Sequence, residues 1–146
     1  MPSTTVPGLL IRRTYEAPPE RVYQAWTQPE LAQQFLCPGD VKIAEIQLDV
    51  RVGGTYRIVM QQPDGEQLVV SGVYREVKPA SKLSMTWKWE EDDPKDEHES
   101  LVSVDFAPHD NGTELTLRHE LLASVESRNN HEHGWSLILD NLTSLR

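Results

Sequence analysis

Cysteine is almost absent from this sequence, since Cys37 is the only one among 146 residues. An intramolecular disulfide is therefore excluded. The sequence does not favour a nucleophilic role for Cys37, because no histidine or asparagine partner can be named for it. A lone buried thiol is the commoner case.

Basic residues are also scarce, with 14 Lys and Arg against 23 Asp and Glu and a formal net charge of −9. Without a basic surplus, the chain is not expected to bind nucleic acid or to dock on anionic membranes. No run approaches the roughly 18 apolar residues that a membrane span requires. The opening residues lack the pattern of a signal peptide. We expect a cytoplasmic protein with a flexible tail over residues 1–7 and a single domain over residues 8–146.

Common catalytic signatures are missing as well. The sequence contains no GxSxG, P-loop, GxGxxG or CxxC motif, and the spacing of Asp40, Glu45 and Asp49 does not pair them as an acid and a base. We therefore predict no catalytic residue from motifs and expect neither a metal nor a cofactor. The chain is more typical of a binding protein than of an enzyme.

Among the features that are present, two prolines mark the starts of two short helices. Pro19 opens "PERVYQAWT", in which apolar residues recur three and four positions apart, as on one helix face. Pro29 starts the second helix, which ends before Pro38. A first strand is predicted over residues 9–16, before these helices.

From residue 42 onward, apolar and polar residues alternate as in half-buried strands. The turns include "QPDGEQ" and "HDNG", and the acidic segment "EEDDPKDEHE" is expected to form a solvated hairpin loop. A final segment returns to helical spacing, with Ser124 as its predicted N-cap. The predicted strands after the two helices are residues 42–50, 55–61, 68–77, 82–90, 101–107 and 113–121.

Consecutive strands joined by short turns form an antiparallel sheet. Such a sheet has one apolar face, and a single long helix with an apolar stripe is available to cover it. We predict an α+β fold in which a curved antiparallel sheet of about six or seven strands wraps around the C-terminal helix. Because only one helix covers the sheet, space for a ligand is expected between them.

The segment "HEHGWSLILDNL", residues 131–142, at first suggests a metal site. In a helix, however, His131 and His133 lie about 200° apart and cannot share one ion. The apolar spacing indicates a helix, so the metal hypothesis fails unless the helix starts after residue 133. Gly134 is expected to allow close approach of the helix backbone to the sheet or to the short helices.

His131 shares the apolar stripe of its helix with Trp135, and His119 shares the inward face of its strand with Leu117. The simpler interpretation is that each histidine is hydrogen-bonded near the edge of the core. The sharper hypothesis is that both anchor a ligand or act as an acid–base pair.

Aromatic and methionine side chains are concentrated on the predicted inward faces. Core packing and pocket lining are equally favoured for them and are compatible, because broad rings and flexible thioethers suit an apolar cavity. The candidate cavity residues are Trp26, Phe35, Tyr56, Ile58, Met60, Met85, Trp87, Trp89, Leu117, His119, His131, Trp135 and Ile138.

Four segments together resemble one family. They are "APPERVYQAWTQPELAQQF", "DVRVGGTYRIVM", "PDGEQLVVSGVYREVKPASKLSMTWKW" and "HEHGWSLILDNL". In this order they are similar to the activator of heat-shock protein 90 ATPase homologue family, within the START-like (SRPBCC) superfamily. The resemblance implies the helix-grip fold, with a cavity between sheet and C-terminal helix. A departure occurs at "QQFLCP", where many relatives have a tryptophan two or three residues before the proline.

The resemblance does not imply one activity. The favoured expectation is a protein that binds a small apolar or aromatic molecule, and the alternative is a cyclase, dehydratase or hydrolase that uses the same cavity. A chaperone-associated stress role is the third and least favoured expectation. The co-chaperone that names the family has an additional N-terminal chaperone-binding domain, which this sequence does not contain. A homodimer is compatible with all three.

Overall fold

The computed structural model describes residues 6–37, 39–91 and 97–145, and its strands form one seven-stranded sheet. The long C-terminal helix α3 is followed by a short 3₁₀ turn, Leu142–Ser144. The elements in chain order are β1 (Leu9–Tyr15), α1 (Pro19–Thr27), α2 (Pro29–Phe35), β2 (Lys42–Leu48), β3 (Thr55–Gln61), β4 (Gln67–Lys78), β5 (Lys82–Trp89), β6 (Glu99–His109), β7 (Gly112–Glu120) and α3 (Val125–Asn141).

The sheet is antiparallel throughout, in the order β1-β7-β6-β5-β4-β3-β2. β1 pairs with β7, and α1 and α2 then carry the chain to the opposite edge, where β2 begins a meander of neighbouring strands. This arrangement confirms the predicted α+β helix-grip architecture. Helices α1 and α3 both contact the sheet, α1 at β6 and β7 and α3 at β1.

The two short helices begin at Pro19 and Pro29, as predicted. Both prolines occupy a first-turn position at which the missing N–H would have had no partner. Strand β6 is longer than predicted and begins at Glu99, which the sequence had assigned to the acidic loop. The last strand was predicted to run to residue 121, but β7 ends at Glu120 and the Leu121 side chain is 66% exposed.

Helix α3 is fixed at both ends. At its start, the Ser124 side chain accepts a hydrogen bond of 3.0 Å from the Ser127 N–H. Near its end, the Tyr15 hydroxyl of β1 donates to the Leu139 carbonyl over 2.8 Å. The Asn141 amide donates to the Cys37 carbonyl over 2.9 Å, which ties the segment after α2 to the helix. These last two bonds tie the C-terminal end of α3 to β1 and to the segment after α2.

The pairing of strands β4 and β5 contains an irregularity. Their register shifts between Tyr74 and Glu76. Gly72 lies just before this shift, where an added Cβ would be only 2.0 Å from the Thr86 carbonyl oxygen, so a larger residue would not fit. A bulge of this kind bends a strand and increases its twist. The irregularity lies next to the aromatic residues of β5 described below.

Two predicted segments fall largely outside the described residues. The predicted tail, residues 1–7, is described only from Val6, which packs against the core. Residues 92–96 of the predicted acidic loop lie outside the described part. At its borders, Glu90 pairs with Arg57 at 3.0 Å and Glu97 with Lys88 at 3.3 Å.

Candidate ligand-binding site

A cleft of about 640 Å³ lies between α3 and the strands β3, β4 and β5. Its apolar surface comes from side chains of both the sheet and the helix. The principal lining residues are Val41, Met60, Leu68, Trp87 and Trp89 on the sheet side and Ser127, Asn130, His131, Gly134, Trp135 and Ile138 on the helix.

A small inner cavity of about 20 Å³ lies deeper in the core. It shares Trp87, Trp135 and Ile138 with the cleft, so these three side chains separate the two spaces. The rings of Trp87 and Trp135 are tilted by 48° with centroids 4.9 Å apart, and Trp135 also stacks on Trp26 at 5.7 Å. The other residues that line the inner cavity are Trp26, Leu36, Leu48, Tyr56, Ile58, Tyr74 and Met85.

His131 lies at the cleft wall with both ring nitrogens engaged. Trp89 Nε1–H donates to His131 Nε2 over 2.8 Å. The other nitrogen, Nδ1, is 2.7 Å from the Ser127 carbonyl, to which only a protonated nitrogen can donate. His131 is therefore a neutral imidazole with its proton on Nδ1.

His119 is fully buried behind Trp135 and has the opposite tautomer. Trp135 Nε1–H donates to His119 Nδ1 over 3.0 Å. The Ser100 hydroxyl donates to the Trp87 carbonyl at 3.0 Å, so it accepts from His119 Nε2–H at 2.7 Å. The two imidazole rings lie 4.7 Å apart between these partners.

This network determines the protonation of both histidines. Burial, and then the neighbouring His131, lower the pKa of His119 from 6.5 to about 3. Burial likewise lowers the pKa of His131. Within the described residues, neither ring has a nitrogen left to exchange a proton with a substrate, so the geometry does not support the acid–base hypothesis.

The structure distributes the candidate cavity residues over three places. Ten of the thirteen line the cleft, the inner cavity or both. Phe35, Leu117 and His119 line neither: Phe35 is the half-buried last residue of α2, Leu117 is enclosed between β1 and β6, and His119 lies behind Trp135.

Gly134 is the lining residue whose role the sequence misjudged. It was expected to allow close approach of the helix backbone, but a Cβ added there would meet nothing within 4 Å. The position faces the cleft, and a side chain would project into it. The glycine in mid-helix beside a tryptophan marked this position as unusual. The sequence alone does not show whether such a glycine faces a close neighbour or open space.

Replacement of Gly134 by alanine is expected to raise the free energy of unfolding by about 1 kcal/mol, because glycine is the poorer helix former and the added methyl group meets no atom. Urea unfolding of the two proteins measures the difference. A loss of stability would show that the helix does rely on a close contact at this position.

The outer face of the sheet carries a second depression of about 490 Å³. Its lining is largely polar and includes charged side chains such as Asp49, Arg57, Lys88 and Glu99. Among the residues that the structure describes, no tryptophan or methionine lines this depression, so it lacks the tryptophan walls of the cleft. The cleft is the stronger candidate for a small apolar molecule.

Two further features bear on the type of site. Among the described residues, no three His, Cys, Asp or Glu side chains are grouped closely enough to hold a metal ion. None of the helices in the described part of the chain combines the length and hydropathy needed to cross a membrane.

The sequence matches one known protein family. The model of the family described as "Activator of Hsp90 ATPase homolog 1-like protein" matches residues 16–146, which include every lining residue above. The chain belongs to this family. Among curated proteins, no match was found.

Solved structures of similar proteins share the fold. A protein from Chromobacterium violaceum is 26% identical, with a TM-score of 0.86 and 94% of each chain covered. The AHSA1 protein from Silicibacter pomeroyi is 28% identical, with a TM-score of 0.85 and coverage of 94% of this chain and 96% of that one. An AHSA1-like protein from Aeromonas hydrophila, at 23% identity and a TM-score of 0.77, supports the fold alone.

Proposed function

We propose that this family member binds a small, apolar or aromatic molecule in the cleft between β3–β5 and α3, without transforming it. The observation that carries the proposal is the cleft itself: about 640 Å³ in volume, with tryptophans on both the sheet and the helix side. Ligand pockets in proteins are typically about 300–1,000 Å³, mostly apolar, with a few polar groups that orient the ligand.

The hydrogen-bonded network of His119 and His131 supports the proposal that the ligand is not transformed. The titratable imidazoles nearest the cleft are held neutral, and each nitrogen is committed to a protein partner. Trp89 and Trp135 are thereby locked in orientation by hydrogen bonds that do not involve a ligand. Rings fixed in this way present flat apolar walls at little entropic cost on binding.

Replacement of Gly134 by leucine is expected to weaken binding of a neutral aromatic probe, N-phenyl-1-naphthylamine, by at least about tenfold, because the new side chain occupies the space that the probe needs. A fluorescence titration measures the affinity. His133→Leu is the matched control, since it adds the same side chain one residue away at an exposed position that does not line the cleft. Equal losses in both variants, or none in either, would contradict the proposed location.

Binding and catalysis are separated by a retention experiment. The purified protein is incubated with a metabolite extract, and the retained compounds are identified before and after prolonged incubation. A retained, chemically unaltered aromatic compound supports the proposal. A retained compound that is converted to product would require an enzyme, and retention that persists in Gly134→Leu would place the ligand outside the cleft.

A further inference from the structure

The four tryptophans divide into two pairs according to their indole N–H groups. Trp89 and Trp135 donate to the two histidines. The N–H groups of Trp26 and Trp87 are also buried, yet neither has a hydrogen-bond partner within the described residues. Because a buried donor without an acceptor costs free energy, the second pair needs an explanation.

The unpartnered pair lies beside the proposed site. Both rings line the inner cavity, and Trp87 also lines the cleft. At about 20 Å³, the inner cavity has room for a single water-sized group. Most of its other lining side chains are apolar, and the Tyr56 hydroxyl already donates to the Thr86 carbonyl. The two tryptophans whose N–H groups lack a partner among the described residues therefore border a space whose lining is mostly apolar.

The charged residues that line the cleft restrict the charge of a ligand group that could accept from these indole N–H groups. The charged side chains that line it in the described part are all glutamates: Glu66, Glu90, Glu91 and Glu126. An anionic ligand would be repelled by these carboxylates, and no described lysine or arginine lines either space to compensate it. A neutral oxygen satisfies an indole N–H without this penalty.

We propose that the ligand is an uncharged aromatic compound with a carbonyl oxygen, which accepts a hydrogen bond from the indole N–H of Trp87 or Trp26 at the boundary between cleft and inner cavity. This inference rests on the proposed function and narrows it to a class of compound. The aromatic body of the ligand lies against Trp89 and Met60, and its oxygen is directed toward the inner cavity.

The test compares 2-acetylnaphthalene with 2-ethylnaphthalene, which share a skeleton and differ in the carbonyl oxygen. The ratio of their dissociation constants is measured by calorimetry for the wild type and for Trp87→Phe and Trp26→Phe. We expect at least one of these variants to reduce the preference for the acetyl compound by about tenfold. Trp89→Phe is expected to weaken binding of both compounds alike, because it alters the wall that the aromatic body contacts. It removes an N–H that is already bonded to His131, so the ratio of the two dissociation constants is expected to stay close to that of the wild type.

Nuclear magnetic resonance of the wild type gives a second readout that does not depend on the folding of a variant. The acetyl compound is expected to move the indole N–H signal of Trp87 or Trp26 downfield relative to the ethyl compound, while the signals of Trp89 and Trp135 show no such difference. Binding of both compounds with an unchanged ratio and no selective shift would overturn the carbonyl inference and leave the proposed function standing. Binding of neither would overturn both.

Discussion

Replacement of His119 by alanine is expected to lower the free energy of unfolding by about 4 kcal/mol. The side chain is fully buried and connects three elements, accepting from Trp135 of α3 and donating to Ser100 of β6 from its own place on β7. Truncation removes packed volume and leaves the Trp135 N–H without an acceptor inside the core. Both effects act in the same direction.

Two companion variants separate these effects. His119→Phe fills the space of the imidazole with a somewhat larger ring but removes both ring nitrogens, so its cost is expected to be about 2 kcal/mol, close to that of one buried unsatisfied donor. His133→Ala changes an exposed histidine of α3 and is expected to shift stability by less than about 0.5 kcal/mol. Urea unfolding measures all three. A loss below about 1 kcal/mol for His119→Ala would mean that the network does not hold α3 to the sheet.

Much of this fold could be predicted from local sequence signals. The bounds of α1 follow from Pro19 and the helical spacing of the residues after it, and the strands follow from period-two alternation. The main error, the early start of β6, has a physical cause. Acidic residues were assigned to a loop because charges avoid the core, but Glu99 and Asp105 alternate with buried residues on one strand.

The candidate site was less predictable, because it depends on where elements distant in sequence meet. The inward faces identified the aromatic residues, but the hydrogen bond from Trp89 to His131 joins residues 42 positions apart. Nothing in the local sequence shows that His119 lies behind Trp135 rather than in a cavity. Gly134 is the sharpest case, since a glycine in a packed helix can mark either contact or open space, and only the surrounding atoms distinguish the two.

The lowered pKa values of His119 and His131 predict that acid destabilises the fold. In the unfolded chain His119 has an ordinary pKa near 6.5, whereas burial lowers its pKa to about 3 in the folded protein. Below the unfolded pKa, the unfolded state therefore binds a proton that the native state does not, and stability falls as the pH falls. Protonation would also place a donor at Nδ1 opposite the Trp135 N–H, which is itself a donor.

We expect His119 alone to account for a loss of about 2 kcal/mol between about pH 6.5 and about pH 4.5, with His131 adding in the same direction. Urea unfolding across this range, for the wild type and for His119→Gln, measures it. Glutamine can accept and donate a hydrogen bond but does not titrate, so this variant should lose that part of the slope.

The pKa of Glu90 is lowered, chiefly by its hydrogen bond with Arg57, so the stability that Glu90 contributes is lost only as the pH falls below its unfolded value, near the end of the range. Parallel pH profiles for wild type and variant would show that His119 is protonated as easily in the folded protein as in the unfolded chain, and the neutral Trp135–His119–Ser100 arrangement would then be wrong.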